Sequence, residues 1–170
     1  MPWKKTQVAE PIRVLLRHAD AGLKSEWYGP DDWRGLTEFG HDQARAVVAV
    51  LDGLPIQRIL SSPCLRCRQT VVPLARALEL DVEPCWQLGA AVEPADLVAL
   101  LADPGTESAV VCTHRETLQL LFEHLAGTYQ VLAEAAEPME KGAVWILRGA
   151  VGGPRPPRLD YVGPAAALVV

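Results

Sequence analysis

Apolar residues along this chain fall into two alternating kinds of segment. Short, largely apolar runs, often β-branched, occur at Ile12 to Leu16, Arg58 to Ser62, Ser108 to Cys112 and Ala143 to Leu147. Runs of that length, ending in polar or turn residues, predict buried strands. Between them apolar residues recur every three or four positions. Ala44, Val47, Val48 and Leu51 predict a helix with Thr37 as its N-cap, Glu38 in its first turn and Gly53 as its stop. Val72, Leu74, Leu78 and Leu80 predict a second helix from about Leu65, kinked or interrupted at Pro73. A third opens at Pro94, with Leu97, Leu100 and Leu101 inward. A fourth follows His114 through Leu118, Leu120, Leu121 and Leu125 and closes at Gly127. Asp81 to Leu88 has room for a short strand, and Leu159 to Val162 for an edge strand after the Gly/Pro-rich stretch 149–157. The segment 19–35 has no period and reads as a loop carrying Trp27, Tyr28 and Trp33.

Strands alternating with helices predict βαβ units. The expected fold class is α/β: a three-layer α/β/α sandwich around a mainly parallel sheet, built as a single domain over residues 1–170. In such folds, sites form at the carboxyl ends of the strands.

Composition narrows the partners. Hydrophobic residues make up 49% and charged residues 22% of the 170, the balance of an ordinary globule. The net charge of −5 argues against a nucleic-acid polymer as ligand, while leaving room for a small cationic pocket. No stretch has the length of a membrane span, and the apolar run after the N-terminus is too short for a signal peptide. The expectation is a cytoplasmic protein without a membrane partner. The four cysteines are then expected as thiols, with Cys64 and Cys67 as packing residues. A zinc site is disfavoured because no second CxxC follows. A thiol redox pair stays as a competing reading.

Three polar clusters close predicted strands: Arg17-His18, Ser61 to Arg66, and Thr113-His114-Arg115. Each alone reads as an ordinary strand end. Together they bring two imidazoles and at least two guanidiniums to one edge of one sheet. A helix N-terminus with an arginine in its first turn suits an anion, and guanidinium forks suit phosphate.

At these positions the chain resembles the histidine phosphatase superfamily. Leu15 to Gly22, LLRHADAG, is similar to that superfamily's RHG signature in the RHA form of its small SixA-like members. Leu36 to Ala44 resembles LTxxGxxQA, Ser61 to Thr70 resembles SSPxxRxxQT, and Val110 to His114 resembles the strand that ends in the second histidine. The motifs keep the family's order over roughly Val14 to Leu125.

The resemblance implies a phosphoglycerate-mutase-like fold without a large cap insertion. It implies a phosphatase, a hydrolase of phosphoric monoesters or phosphohistidine, working without cofactor or metal. His18 would attack phosphorus and water would then hydrolyse the phosphohistidine. Arg17, Arg66 and His114 would grip the phosphoryl oxygens, with Arg34 and Arg115 as further anion contacts. The family's acidic residue between the second Arg and second His has no clear counterpart near Trp86 to Gly89. Glu93 is the catalytic candidate, with Glu83 and Asp96 beside it. A weak acid suits phosphohistidine or phosphoanhydrides, which leave more readily than alkyl oxygens. Protein phosphohistidine is the first substrate expectation. A nucleotide or another small phosphate ester is the second, the aromatic loop stacking on a base or touching a protein. A non-catalytic phosphate-binding module is the alternative from another class.

Overall fold

The computed structural model describes residues 9–129 and 139–164. Six strands form one sheet: β1 (Ile12–Arg17), β2 (Arg58–Ser61), β3 (Val82–Pro84), β4 (Ala109–Thr113), β5 (Ala143–Arg148) and β6 (Arg158–Pro164). Their order is β3-β2-β4-β1-β5-β6. The β2–β3, β2–β4 and β1–β4 pairs are parallel, and β5 runs antiparallel to both β1 and β6. The helices are α1 (Glu38–Val50), α2 (Leu65–Leu78), α3 (Pro94–Ala102) and α4 (Arg115–Tyr129).

Strand alternation separates two cores. Val14 and Leu16 of β1, with Ile59, Val110 and Cys112, meet Val47 of α1 and Val71 and Leu74 of α2. Leu15, Leu60 and Val111 point the other way, toward Leu97 and Leu101 of α3 and Leu118, Leu121 and Leu125 of α4. Successive strand residues face opposite sides, so a fully apolar strand needs a helical layer on each face. The expected three-layer α/β/α architecture is therefore the observed one. Burial of one leucine is worth roughly 1.5–3 kcal/mol, and each layer contributes several.

Local readings hold with three revisions. Thr37 caps α1, its Oγ1 accepting from Gly40 N at 3.0 Å. The expected break at Pro73 does not occur, and α2 runs through it. Losing one helical hydrogen bond costs about 3 kcal/mol. Burial of Cys67, Val71, Leu74 and Ala75 against the sheet offsets it. That helix stops at Leu78 because Glu79 turns left-handed (φ 54°) and Leu80 N bonds back to Ala75 O at 2.9 Å. Helix α4 passes the predicted stop at Gly127 and reaches Tyr129, whose hydroxyl donates to Gly153 O at 3.0 Å. This tertiary contact extends the helix past its local stop signal. Arg13 interrupts the apolar run of β1 yet is buried. Its guanidinium donates to Thr106 Oγ1 (3.2 Å), Gly149 O (3.4 Å) and Asp103 O (3.3 Å), so its polarity is satisfied at the strand's amino end.

Among the described residues no helix is long and apolar enough to cross a membrane. The apolar residues 165–170 and the first eight residues lie outside the described segments.

Candidate active site

Strand order brings the three clusters together. β4 lies between β2 and β1, so the three polar strand ends are neighbours. The ladder continues one step past each end. His18 N donates to Thr113 O and Ser62 N to Cys112 O, both at 3.0 Å. These bonds set the backbones of His18, Ser62 and His114 side by side. The rings of His18 and His114 have centroids 5.5 Å apart and are inclined by 67°.

His18 is 7% exposed. Its Nδ1 lies 2.8 Å from Ala19 O. Only a protonated Nδ1 bonds a carbonyl, so in the neutral ring Nε2 carries the lone pair. Burial drives the pKa down to about 3. The Ala19 bond opposes this, while the charges of His114, Arg66 and Arg17 reinforce it. His18 is thus a neutral imidazole with its lone pair free at ordinary pH.

That shift has a measurable consequence. An unfolded histidine takes up a proton near 6.5, whereas the native ring does so only near 3. Below pH 6.5 the unfolded state therefore binds more protons, and stability falls as pH drops through that window. The slope from one such group approaches about 1.4 kcal/mol per pH unit. His18→Gln cannot take up that proton. Urea midpoints at pH 6 and pH 4 are expected to fall further in the wild type than in this variant. Equal falls would show that His18 titrates normally in the fold.

Several motif residues hold the loop after His18 and stand back from the chemistry. Ala19 N donates to Thr70 Oγ1 (3.0 Å), and the same hydroxyl donates to Arg66 O (2.7 Å), joining the β1 loop to α2. Asp20 N donates to Gln43 Oε1 at 2.8 Å, and Gln43 Nε2 donates to Lys141 O at 3.0 Å. A Cβ on Gly40 would stand 2.0 Å from Asp20 O, so only glycine lets α1 approach the loop this closely.

Arg66, in the first turn of α2, is 5% exposed. Its Nη1 donates to Asp31 O (2.8 Å). Its Nη2 donates to Asp31 Oδ2 (3.1 Å) and lies 3.3 Å from His114 Nδ1. That nitrogen of His114 accepts, so His114 Nε2 carries the proton and donates to Ser62 Oγ at 2.9 Å. Cys67 Sγ stands 3.7 Å from the same Nε2. Arg17 donates through Nη1 to Met139 O. Its pKa is lowered by burial and by Arg115, with Glu116 opposing, so Arg115 at the start of α4 shares its electrostatic surroundings. Arg17 Nε and Arg66 Nε are buried with no hydrogen-bond partner among the described residues. The site therefore combines one unprotonated imidazole, a second imidazole and two partly unsatisfied guanidiniums, a set that an oxyanion complements.

The remaining sequence candidates are placed differently from the expectation. Arg34 is engaged within its own loop. Its Nε donates to Asp31 Oδ1 (2.9 Å) and its Nη1 to Ala21 O (2.9 Å) and Gly22 O (3.3 Å). Glu83 is tied to Arg58 at the start of β2, at 3.0 and 2.6 Å, which rules it out as an acid at the cradle. Glu93 and Asp96 are exposed at the start of α3. Neither side chain bonds a cradle residue among those described. The cause is the backbone before α3: Leu88 O accepts from Thr113 Oγ1 (2.5 Å) and Gly89 O from Thr117 Oγ1 (2.8 Å). Polar main chain, not a carboxylate, fills that side.

Sequence reasoning overlooked Asp31, Ser62 and Thr70. Thr70 and Ser62 stood inside a quoted motif. Asp31 had no such signal, since an Asp-Asp pair after Gly-Pro reads as turn chemistry. Of the loop aromatics, Trp27 Nε1 bonds Pro30 O (3.0 Å), while Tyr28 is 99% and Trp33 65% exposed. Trp33 borders a cavity of about 230 Å³ with Asp32, Pro63, Leu65 and Arg68. A larger cavity of about 420 Å³ lies at the 148–158 loop, where Arg148 and Arg158 are paired with Asp160 and Glu10. The thiols of the CxxC diverge: Cys64 Sγ donates to Asp32 (3.2 Å), while Cys67 is buried behind His114.

Known proteins are similar to this chain in sequence and in fold. The family described as "Histidine phosphatase superfamily (branch 1)" matches residues 13–89. The phosphohistidine phosphatase SixA of Escherichia coli is 31% identical over 121 residues, 65% of this chain and 71% of SixA. The chain belongs to the histidine phosphatase superfamily. A second relative, the 8-oxo-(d)GTP phosphatase of Mycolicibacterium smegmatis, is 28% identical over 141 residues. That alignment covers 79% of this chain but only 43% of the mycobacterial protein. The solved structure of a SixA described as a putative phosphohistidine phosphatase, from Agrobacterium tumefaciens, superposes with a TM-score of 0.71 at 26% identity. It covers 91% of this chain and 98% of that one. The expected phosphoglycerate-mutase-like fold and the SixA-like resemblance are therefore shown. Histidine phosphatases are phosphoryl hydrolases that work through a histidine, and this chain carries the fold of that class.

Proposed function

We propose that this histidine phosphatase uses His18 as phosphoryl acceptor and that its substrate is a phosphohistidine side chain of a protein. The observation that carries the reading is the buried, neutral His18, its Nδ1 held by Ala19 O and its Nε2 free beside Arg66 and His114.

The Nε2 lone pair attacks phosphorus, and the bond from phosphorus to the leaving atom breaks with its electron pair on that atom. Arg66, Arg17 and His114 hold the equatorial oxygens, where charge accumulates, and Arg115 adds positive potential. A water molecule then attacks the phosphohistidine and the electron pair returns to Nε2. No step calls for a metal or cofactor. His114 donates to the phosphoryl group through Nδ1 once its proton moves there, with Ser62 Oγ–H turning to donate to Nε2.

The SixA relative supports protein phosphohistidine as substrate. So does the setting, with exposed Tyr28 and Trp33 on the loop beside Arg66. The free cysteines fit a reducing, cytoplasmic compartment, and the chain is read as one catalytic domain. A nucleotide is the second reading. It rests on the mycobacterial relative and on the cavity where Trp33 and Arg68 meet. Phosphate release from a phosphohistidine-bearing protein and from nucleoside triphosphates decides between them. We expect kcat/KM for the phosphoprotein to exceed that for nucleotides by more than about tenfold. The opposite ratio would assign the site to nucleotides.

A further inference from the structure

Among the described residues, no carboxylate between the second arginine and the second histidine bonds a cradle residue, whereas one from the loop after β1 does. Asp31, in the loop after β1, occupies both terminal nitrogens of Arg66, one through its carbonyl and one through Oδ2. Its Oδ1 is held by Arg34 Nε at 2.9 Å. The carboxylate therefore sits at the cradle with one oxygen fixed and the other on the guanidinium that a phosphoryl group would grip. Its side chain is 29% exposed, against 6% for that of Arg66, while His18 as a whole is 7% exposed. Asp31 is the outer group and His18 the inner one. In-line displacement sends the leaving atom away from the buried nucleophile, and Asp31 is the more exposed of the two groups.

We propose that Asp31 is the general acid of phosphoryl transfer to His18 and the general base of the hydrolysis that follows. The inference rests on the histidine-phosphatase reading above. An entering phosphoryl group competes for Arg66 and displaces Asp31 Oδ2, while Arg34 retains Oδ1. The displaced carboxylate then borders a second anion and takes up a proton, brought by the substrate monoanion or by solvent. As the bond to phosphorus breaks, the leaving oxygen or nitrogen receives its electron pair and takes this proton. In the second step water attacks phosphorus, its proton passes to the Asp31 carboxylate, and the electron pair of the P–N bond returns to His18 Nε2.

In the free protein partial burial acts to raise the Asp31 pKa. The bond from Arg34 and the charges of Arg66, Arg34 and Lys24 overcome it and hold the group below its usual range. The charged groups facing it are thus Lys24 and Arg34 of its own loop and Arg66 of α2, with His114 beyond Arg66. Loss of Arg66 to the substrate removes one of these stabilising charges at the moment the acid is needed.

Asp31→Asn tests this with two leaving groups. p-Nitrophenolate departs with little protonation, whereas phenolate needs it, and general acids contribute roughly 100- to 10,000-fold. We expect kcat/KM for phenyl phosphate to fall about 100-fold or more and that for p-nitrophenyl phosphate to fall less than about tenfold. Equal losses on both esters would make Asp31 only a support for Arg66 and overturn the proposal. Asp31→Glu, which keeps charge and carboxyl but displaces the acid, is read on the same ratio and serves if the asparagine variant does not fold. A shift toward p-nitrophenyl phosphate supports the role, and equal losses end it. If the wild type cleaved neither ester nor phosphohistidine, the phosphatase reading itself would fail, a result distinct from equal losses in an active enzyme.

Discussion

His18→Ala is expected to abolish turnover of p-nitrophenyl phosphate, with kcat lower by at least about 10,000-fold. Removing the nucleophile of a covalent mechanism commonly costs that much or more. No neighbour can take over. His114 is 1% exposed, with Nε2 on Ser62 and Nδ1 on Arg66. The variant should still fold, because it loses one hydrogen bond, to Ala19 O, and leaves a small cavity. It should also still bind vanadate or phosphate through Arg17, Arg66 and His114. Stopped-flow release of p-nitrophenol and acid-quench trapping of phosphoenzyme check the claim together. The wild type should yield an acid-labile phosphoenzyme and the variant none. Residual activity within tenfold of the wild type would assign the nucleophile to another group.

Arg66→Lys is the second large effect, expected to lower kcat/KM by roughly 100- to 1,000-fold. Lysine keeps the charge but lacks the planar fork. Arg66 has two terminal nitrogens directed at one neighbour and one of them also at His114 Nδ1, a geometry no ammonium reproduces. Both constants should change, since the fork serves the ground state and develops further contact with the equatorial oxygens in the transition state. Arg68→Lys, two residues on and exposed, provides the control and should stay within about threefold on p-nitrophenyl phosphate. A small loss in Arg66→Lys that matched the control would mean that Arg66 serves only to hold the 19–35 loop.

The two variants probe different layers of what the chain encodes. His18, Arg66 and His114 were legible because each ends a strand or opens a helix, and apolar runs place such junctions reliably. Their motifs also contain residues whose purpose appears only in three dimensions. Gly40 is required by a carbonyl from the preceding loop, not by the helix it sits in. Gln43 and Thr70 carry no chemistry. They satisfy backbone groups of the loop that presents His18. Arg34 looked like a free cation in the sequence and is a strut in the structure. Glu83 looked like a spare carboxylate and is consumed by Arg58. Exposed-looking charges find partners through tertiary proximity, which local pattern does not encode.

Hydrophobic period and turn chemistry alone determined the alternation of strands and helices, the doubly covered sheet and the edge on which the polar junctions lie. These follow from side-chain direction along regular backbones, a local property. The placing of β4 between β1 and β2, the neutrality of His18, and the contact of Asp31 with Arg66 were decided by tertiary structure. Strand order depends on how layers pack over long chain separations. A histidine's charge depends on the desolvation and neighbouring charges it meets only in the folded site. A carboxylate from an aperiodic loop finds its partner only when the loop is folded back over the sheet.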